Sequence, residues 1–246
     1  MAVTLSAASA SGVTAYSQVS LPFAPGESIT YHVRVDKSAI TGHATMSVEG
    51  PVDVRGTFTY LLRSRTRAGI GPFTGSQLME SWLDPVKIRA LRFHEQEHRL
   101  FHSHDVRVEI LPNERRWSDD DGGSGESITS ASLDELSFIY YLRTLPPNRD
   151  TLYEFSSHFD ASRDPISVRE SPGGVIETSS GSFTTTLMEM HVHDPRRYQG
   201  EGVVRVFLSD DRCRLPVRIE STIPGMGSMV LTMASYVAPS RCGAAP

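Results

Sequence analysis

Apolar and polar residues alternate strictly in many short segments of this chain. The alternation runs from Ile29 to Val35 near the start and from Val204 to Leu208 near the end. A period of two is typical of strands that bury one face. The predicted strands span residues 29–35, 42–48, 58–65, 76–83, 86–93, 98–110, 152–159, 166–170, 183–193, 203–208, 214–223 and 229–237. Short strands joined by turns predict a mainly β fold, a curved antiparallel meander or barrel-like sheet.

One central helix is predicted over residues 132–144. Ser132 stands at the position of an N-cap, and Glu135 follows three residues later, as in a capping box. An apolar stripe then predicts a buried face: Leu133, Leu136, Ile139, Tyr140 and Leu142. Pro146 ends the helical pattern.

The domain prediction is a single β-rich domain over residues 21–237. Residues 1–20 are expected to be a flexible tail or the remnant of an export signal, and residues 238–246 a C-terminal tail. Residues 118–128 are acidic and rich in glycine, which predicts a mobile loop, with calcium binding as the alternative.

Composition excludes some classes of partner. The chain has 246 residues, of which 39% are hydrophobic and 22% charged, as in an ordinary globular protein. The net charge of -5 gives no basic footprint for nucleic acid. No apolar run is long enough to predict a membrane span.

Four segments resemble a known family. Residues 207–220 form a strand, an acidic turn and a strand, residues 21–31 a Pro-Phe-x-x-Gly-Glu entry into a strand, residues 133–143 a central helix, and residues 181–185 a strand start. They resemble the bacterial envelope proteins grouped as domain of unknown function 3108. The resemblance implies a β-rich protein of the periplasm or cell envelope, with no agreed activity and no catalytic residues to carry over. The export signal itself is not visible in this chain.

Cys213 and Cys242 are the two cysteines of the chain. In an exported protein they can form one disulfide that ties the C-terminal tail to the acidic turn. In a cytosolic protein they would be unpaired thiols.

Histidines provide the main candidate for metal chemistry. Even spacings separate four of them: His94, His98, His102 and His104. A second His-x-His pair follows at His191 and His193. If the two pairs lay on neighbouring strands, their imidazoles could bind zinc, copper or iron. The alternative is a solvated strand face, with residues 94–98 forming a turn between two strands.

Three arginines alternate along one predicted strand, namely Arg63, Arg65 and Arg67. They share a face and could meet an anionic head group or a sugar acid. Exposed arginines on a sheet are also common without any ligand.

Two functional hypotheses follow. The first is a non-catalytic envelope protein that binds an apolar or amphipathic ligand, such as a lipid, or else a glycan or another envelope protein, without a cofactor. Its candidate ligand-lining residues, which could equally be ordinary core, are Tyr31, Val33, Met46, Tyr60, Met79, Trp82, Met188 and Met190. The alternative is a metal-dependent or polysaccharide-acting enzyme that uses the two His-x-His pairs.

Overall fold

The computed structural model describes residues 21–99, 102–147, 150–194, 200–223 and 227–237. These residues form a single antiparallel sheet of 14 strands and one α-helix, α1 (Glu135–Leu142). The strands are β1 (Ser28–Val35), β2 (Thr41–Val54), β3 (Thr57–Ile70), β4 (Phe73–Asp84), β5 (Arg89–Arg99), β6 (His102–Leu111), β7 (Arg116–Asp119), β8 (Ser124–Glu126), β9 (Leu152–Phe155), β10 (Ile166–Thr178), β11 (Gly181–Asp194), β12 (Gly200–Ser209), β13 (Pro216–Ile223) and β14 (Gly227–Val237). The mainly β fold with one central helix is confirmed.

The strand order explains the barrel-like shape. One half of the sheet runs from β8 to β1 and the other from β14 to β9, with β1 and β14 paired at the centre. The edge strands β8 and β9 are consecutive in the chain, and α1 lies in the segment that connects them. β10 also contacts β13 and β14, which are not its neighbours, as expected of a strongly curved sheet. The sheet is therefore a curved meander that does not close by strand pairing.

The alternation of buried and exposed residues along each strand shows which face of the sheet is buried. The apolar residues of β1 are buried, whereas His32 and Arg34 between them are exposed. The buried face of the sheet packs around α1, whose residues Leu136 and Tyr140 belong to the same apolar core. We call this buried side the concave face and the opposite side the convex face.

Helix α1 begins later than its sequence indicates. Its N-cap is Asp134, whose Oδ1 accepts hydrogen bonds from the backbone N–H groups of Leu136 (3.0 Å) and Ser137 (2.9 Å). The Ser137 hydroxyl accepts a bond of 2.9 Å from the Asp134 N–H and completes the capping box.

The capping box predicted from Ser132 and Glu135 is therefore wrong. The carbonyl of Ser132 accepts a hydrogen bond of 2.8 Å from the N–H of Ala90 in β5. Its hydroxyl donates to the carbonyl of Thr129 at 2.8 Å. Ser132 is thus held in an extended segment by a contact far away in sequence, and the helix starts after it.

The acidic, glycine-rich segment is a hairpin rather than a loose loop. β7 and β8 pair directly, with Trp117 opposite Gly125. In the turn between them, Oδ1 of Asp119 accepts a hydrogen bond of 2.5 Å from the N–H of Gly123. The turn thus uses the Asp119 carboxylate to satisfy backbone groups, which corrects the prediction of a mobile loop.

The turn predicted at residues 94–98 is also wrong. His94 lies within β5, opposite Glu80 of β4, and the ladder continues to His98 opposite Ser76. His94 bonds to carboxylates on both sides, with Nδ1 3.1 Å from Glu80 and Nε2 2.9 Å from Asp105. These convex-face contacts hold the polar sequence in a regular strand.

The acidic turn near the C-terminus is confirmed as a strand, turn and strand. Oδ1 of Asp211 accepts hydrogen bonds from the N–H groups of Cys213 (2.8 Å) and Arg214 (3.1 Å), between β12 and β13. Cys213 is buried in this turn. Cys242 lies outside the described residues, so the disulfide stays a prediction.

A buried ion pair closes one end of the barrel. Arg143, just after α1, donates to both carboxylate oxygens of Glu27 at 2.6 and 2.7 Å, and both side chains are 0% exposed. Nη2 of Arg143 also donates to the carbonyls of Pro22 and Cys213, at 3.0 Å each. The guanidinium lies over the ring of Phe23, 5.3 Å from its centroid. We call the end of the barrel at this ion pair the closed end.

Candidate functional site

The concave face and α1 enclose a cavity of about 170 Å³. Its apolar lining comes from both halves of the sheet and from the helix: Met46, Met79, Leu133, Leu136, Phe138, Ile139, Ile166, Met190, Val192, Val204, Ile219, Met229 and Leu231. Four of these residues are methionines, whose flexible thioethers adapt to irregular apolar ligands. An apolar cavity of about 150 Å³ is large enough to hold a benzene-sized ligand.

The cavity lies away from the closed end. It is lined by Thr66 and Gln77, which face each other on β3 and β4 and lie towards the turn at Gly71. Met229, near the start of β14, also lines it and lies opposite Val35, the last residue of β1. We call this end of the barrel, marked by the β3–β4 turn, the mouth end.

The N-cap of α1 forms a buried polar wall of the cavity. Asp134 is 0% exposed, and Ser81 of β4 donates a hydrogen bond of 2.5 Å to its Oδ2. Burial raises the pKa of the Asp134 carboxyl from 3.8 to about 6, although its hydrogen bonds with Ser137 and Ser81 act in the opposite direction. This wall can therefore change charge in mildly acidic conditions.

His158 presents a hydrogen-bond donor to the cavity. Its Nδ1 accepts a bond of 2.9 Å from the N–H of Asp160 and lies 3.2 Å from the Asp160 carbonyl oxygen. The shorter bond requires an unprotonated Nδ1, which places the proton of a neutral ring on Nε2. The His158 residue is 5% exposed, and its Nε2 has no hydrogen-bond partner among the described residues. Oε1 of Glu135 lies 3.7 Å from this nitrogen. A buried N–H without a partner is costly unless a ligand supplies the acceptor.

Glu135 and Arg163 form an ion pair beside His158. The Arg163 guanidinium donates to Oε1 of Glu135, from a short 3-10 helix (Ala161–Arg163) capped by Asp160. Burial raises the pKa of the neighbouring Asp164 carboxyl. Because the Arg163 guanidinium is already paired with Glu135, a bound carboxylate would have to compete with Glu135 for it.

The structure distributes the predicted ligand-lining residues over three environments. Met79 and Met190, and also Met46, line the cavity. Of the remaining concave-face residues, Tyr31, Val33 and Met188 belong to the core, and the half-buried Tyr60 packs against it. Among these, the Tyr31 hydroxyl donates to the carbonyl of Pro216 at 2.9 Å, and burial raises the pKa of its phenol.

Trp82 lies on the convex face and does not line the cavity. It is opposite Arg92, whose guanidinium carbon is 5.5 Å from the centroid of the indole ring. Met79 and Trp82 are three residues apart on β4, so their side chains point to opposite faces.

The histidines of the metal hypothesis are on different faces. His104 is opposite Glu97, in the row that contains Gln77 of the cavity wall, so it is on the concave side. His191 is exposed on β11, in the other half of the sheet, with Nε2 3.4 Å from Glu189.

His193 lies beside the cavity, whereas the side chain of His102 lies outside the described residues. Within the part of the chain that the structure describes, no three His, Cys, Asp or Glu side chains gather to hold a metal ion. Binding of zinc or another transition metal therefore stays a prediction.

The three arginines of β3 differ in their partners. Arg63 is paired with Glu80 at 2.7 Å and also with Glu49. Arg65 and Arg67 are exposed on the convex face.

No local pattern in the sequence marks His158, Glu135 and Arg163 as a group. They meet because residue 133 pairs in parallel with residue 158, where the N–H of Leu133 donates to the carbonyl of Ser157 at 2.7 Å. A single bridge between segments before α1 and after β9 leaves no periodic signal that could reveal this contact.

Comparison with known proteins agrees with this architecture. The described part of the chain contains no helix that is long and apolar enough to span a membrane. No curated protein is significantly similar to the chain. A crystal structure of a beta-barrel-like protein of domain of unknown function DUF1849 from Brucella abortus has a similar fold, with a TM-score of 0.64 at 11% identity over 89% of this chain and 100% of that chain. The model of the family described as protein of unknown function (DUF3108) matches residues 22–234, and this chain belongs to that family.

Proposed function

We propose that the protein is a non-catalytic component of the bacterial cell envelope that holds an apolar or amphipathic ligand in its barrel. The cavity between α1 and the concave face carries this proposal. Its walls are mainly apolar, and its four methionines can adapt to ligands of different shape. The resemblance to envelope proteins supports the proposed location.

The dimensions of the cavity limit the ligand. At about 170 Å³, it accepts one ring or a short piece of an acyl chain. A longer chain would extend towards the mouth end, because the Glu27–Arg143 pair and the side chains around it fill the closed end.

The polar wall indicates the kind of head group. His158 offers an N–H donor, so the ligand should carry a hydrogen-bond acceptor. Asp134 and Glu135 add negative charge to the same wall, and Arg163 is paired with Glu135. A neutral acceptor, such as a hydroxyl or an ester carbonyl, avoids repulsion from these carboxylates. We therefore propose a neutral amphiphile rather than a free carboxylate.

Titration with the neutral fluorophore N-phenyl-1-naphthylamine tests the cavity, which would hold its phenyl ring while the naphthyl group extends towards the mouth end. Ser64→Phe should fill the cavity, because Ser64 is buried and lines it, and should weaken binding at least about tenfold. Thr45→Phe is the control, since Thr45 is exposed on the neighbouring strand β2. Equal affinity of both variants and the natural protein would contradict binding in the cavity. Lipid extraction and native mass spectrometry of protein purified without detergent test for a natural ligand.

Competition tests the head group. Decanol should displace the fluorophore at a lower concentration than decanoate at neutral pH. His158→Phe should weaken displacement by decanol, because it removes the N–H donor but keeps a ring of similar size. A preference for decanoate in the natural protein would contradict the proposed neutral head group.

A further inference from the structure

The convex face carries a band of basic and imidazole side chains next to the mouth end. His32, His43 and Arg67 lie directly opposite one another on β1, β2 and β3. The same row continues through Ser76 of β4 to His98 of β5. Arg65 occupies the next convex position of β3. We call His32, His43, Arg65, Arg67 and His98 the basic band.

The two arginines of this band have no partner among the described residues that would neutralise them. Neither Arg65 nor Arg67 makes a hydrogen bond or an ion pair with a described residue. Two acidic residues near the band have partners of their own, since Asp36 pairs with Arg34 at 2.9 Å and Asp105 accepts from His94 at 2.9 Å. The overall charge of the chain is -5, so this surface differs in sign from the molecule as a whole.

An apolar hairpin tip projects beyond the basic band. Ile70 and Phe73 face each other across the β3–β4 turn, and they are 50% and 55% exposed. Ile70 follows Arg67 by three positions, a distance of roughly 10 Å along a strand. Side chains inserted at a membrane interface reach roughly 5–10 Å into the head-group and acyl boundary. With the tip inserted, Arg67 would therefore lie at the level of the lipid phosphates.

We propose that the protein docks onto an anionic phospholipid membrane through its mouth end, with Ile70 and Phe73 inserted and the basic band on the head groups. Neither the basic band nor the apolar tip alone would indicate membrane binding, because exposed arginines or a single apolar tip occur on many proteins. Their combination at one end of one hairpin matches the layers of a membrane surface, apolar below and anionic above. Docking in this orientation turns the mouth end, and with it the cavity, towards the bilayer.

Flotation with phospholipid vesicles tests this proposal. The protein should float with vesicles of mixed phosphatidylcholine and phosphatidylglycerol, and not with phosphatidylcholine alone. High salt should release it, because screening weakens the contact of arginine with phosphate. Equal binding to both kinds of vesicle, or to neither, would overturn the proposal.

Matched variants locate the surface. Arg67→Ser should weaken binding about fivefold, the loss expected from one arginine near an anionic surface (~1 kcal/mol). Arg169→Ser is its control, because Arg169 is also exposed but lies on β10 in the other half of the sheet. Phe73→Ser should weaken binding about tenfold. Phe58→Ser is its control, since Phe58 is 72% exposed at the start of β3, at the opposite end of that strand.

Two results separate this proposal from its alternatives. If Phe73→Ser leaves vesicle binding unchanged and Arg67→Ser abolishes binding to soluble dextran sulfate, the band is a polyanion site and membrane docking is overturned. Equal losses in the control variants would overturn it as well. Ser64→Phe, which fills the cavity, should dock normally, so a failure of the proposed ligand binding is distinguished from a failure of docking.

Discussion

The buried ion pair at the closed end should be among the most sensitive points of the fold. Arg143→Met would leave the Glu27 carboxylate at 0% exposure without its two donors. It would also remove the donor to the carbonyls of Pro22 and Cys213. Breaking a buried pair from one side costs roughly 3–5 kcal/mol, mostly because the remaining charge stays buried. Glu27→Met should cost about as much, since it leaves the guanidinium buried.

The variant with both Glu27→Met and Arg143→Met distinguishes the loss of their contact from the cost of leaving one buried charge unpaired. When both partners become methionine, no charge remains in the closed end, and apolar replacement of a buried pair is often close to neutral. We therefore expect the double variant to be no less stable than either single variant. Independent losses would instead add to roughly 6–10 kcal/mol.

Urea denaturation followed by circular dichroism measures these differences. Arg34→Met is a suitable control, because Arg34 pairs with Asp36 on the surface, with side chains that are 60% and 40% exposed. An exposed pair of this kind contributes roughly 0–1 kcal/mol. Single losses below about 1 kcal/mol at Arg143 and Glu27, or losses that simply add in the double variant, would refute the reasoning.

Three further predictions concern the helix, the cysteines and the N-cap. Leu136→Ala should destabilise the protein by roughly 2–4 kcal/mol in chemical denaturation, because Leu136 is 0% exposed, and a loss below about 0.5 kcal/mol would contradict helix packing. If the protein is exported, as proposed, Cys213 and Cys242 should form one disulfide in protein purified from the natural host, contributing roughly 3 kcal/mol, and mass spectrometry that finds two free thiols would contradict it. Burial raises the Asp134 pKa from 3.8 to about 6, so its contribution to stability is full below pH 3.8 and is lost as the pH rises through about 6. Asp134→Asn should therefore gain up to about 3 kcal/mol over the natural protein between pH 4 and pH 7 in denaturation series, and a constant difference would contradict the buried-carboxylate explanation.

Most of the strands could be predicted from sequence because they repeat the same local pattern. β1 and the hairpin of β12 and β13 alternate apolar and polar residues, and one face is buried as this pattern indicates. The pairing of β7 with β8 could not be found in this way. Their residues are all exposed or half-buried, so a polar, glycine-rich sequence forms strands without an apolar stripe.

The candidate site was harder to predict because long-range contacts assemble it. Met79 and Met190 could be proposed as lining residues, since methionine on a concave face suits an adaptable cavity. The donor of His158 could not, because it depends on the bridge between residues 133 and 158. A long-range contact also explains why the helix does not begin at the predicted N-cap. The N–H of Ala90 bonds to the carbonyl of Ser132 and holds that residue outside the helix.

The segments that carry the family resemblance and the residues that would select a ligand overlap only in part. Residues 21–31, 133–143 and 207–220 meet at the closed end, where Arg143 bonds to Glu27 and to the carbonyl of Cys213. In the polar wall, Asp134 and Glu135 lie in one of these segments, whereas His158 and Arg163 lie outside all three. A chain can therefore keep the contacts that fix the helix inside the barrel while its cavity changes shape and polarity. Membership in this family transfers the scaffold, and the ligand has to be inferred from the cavity of each chain.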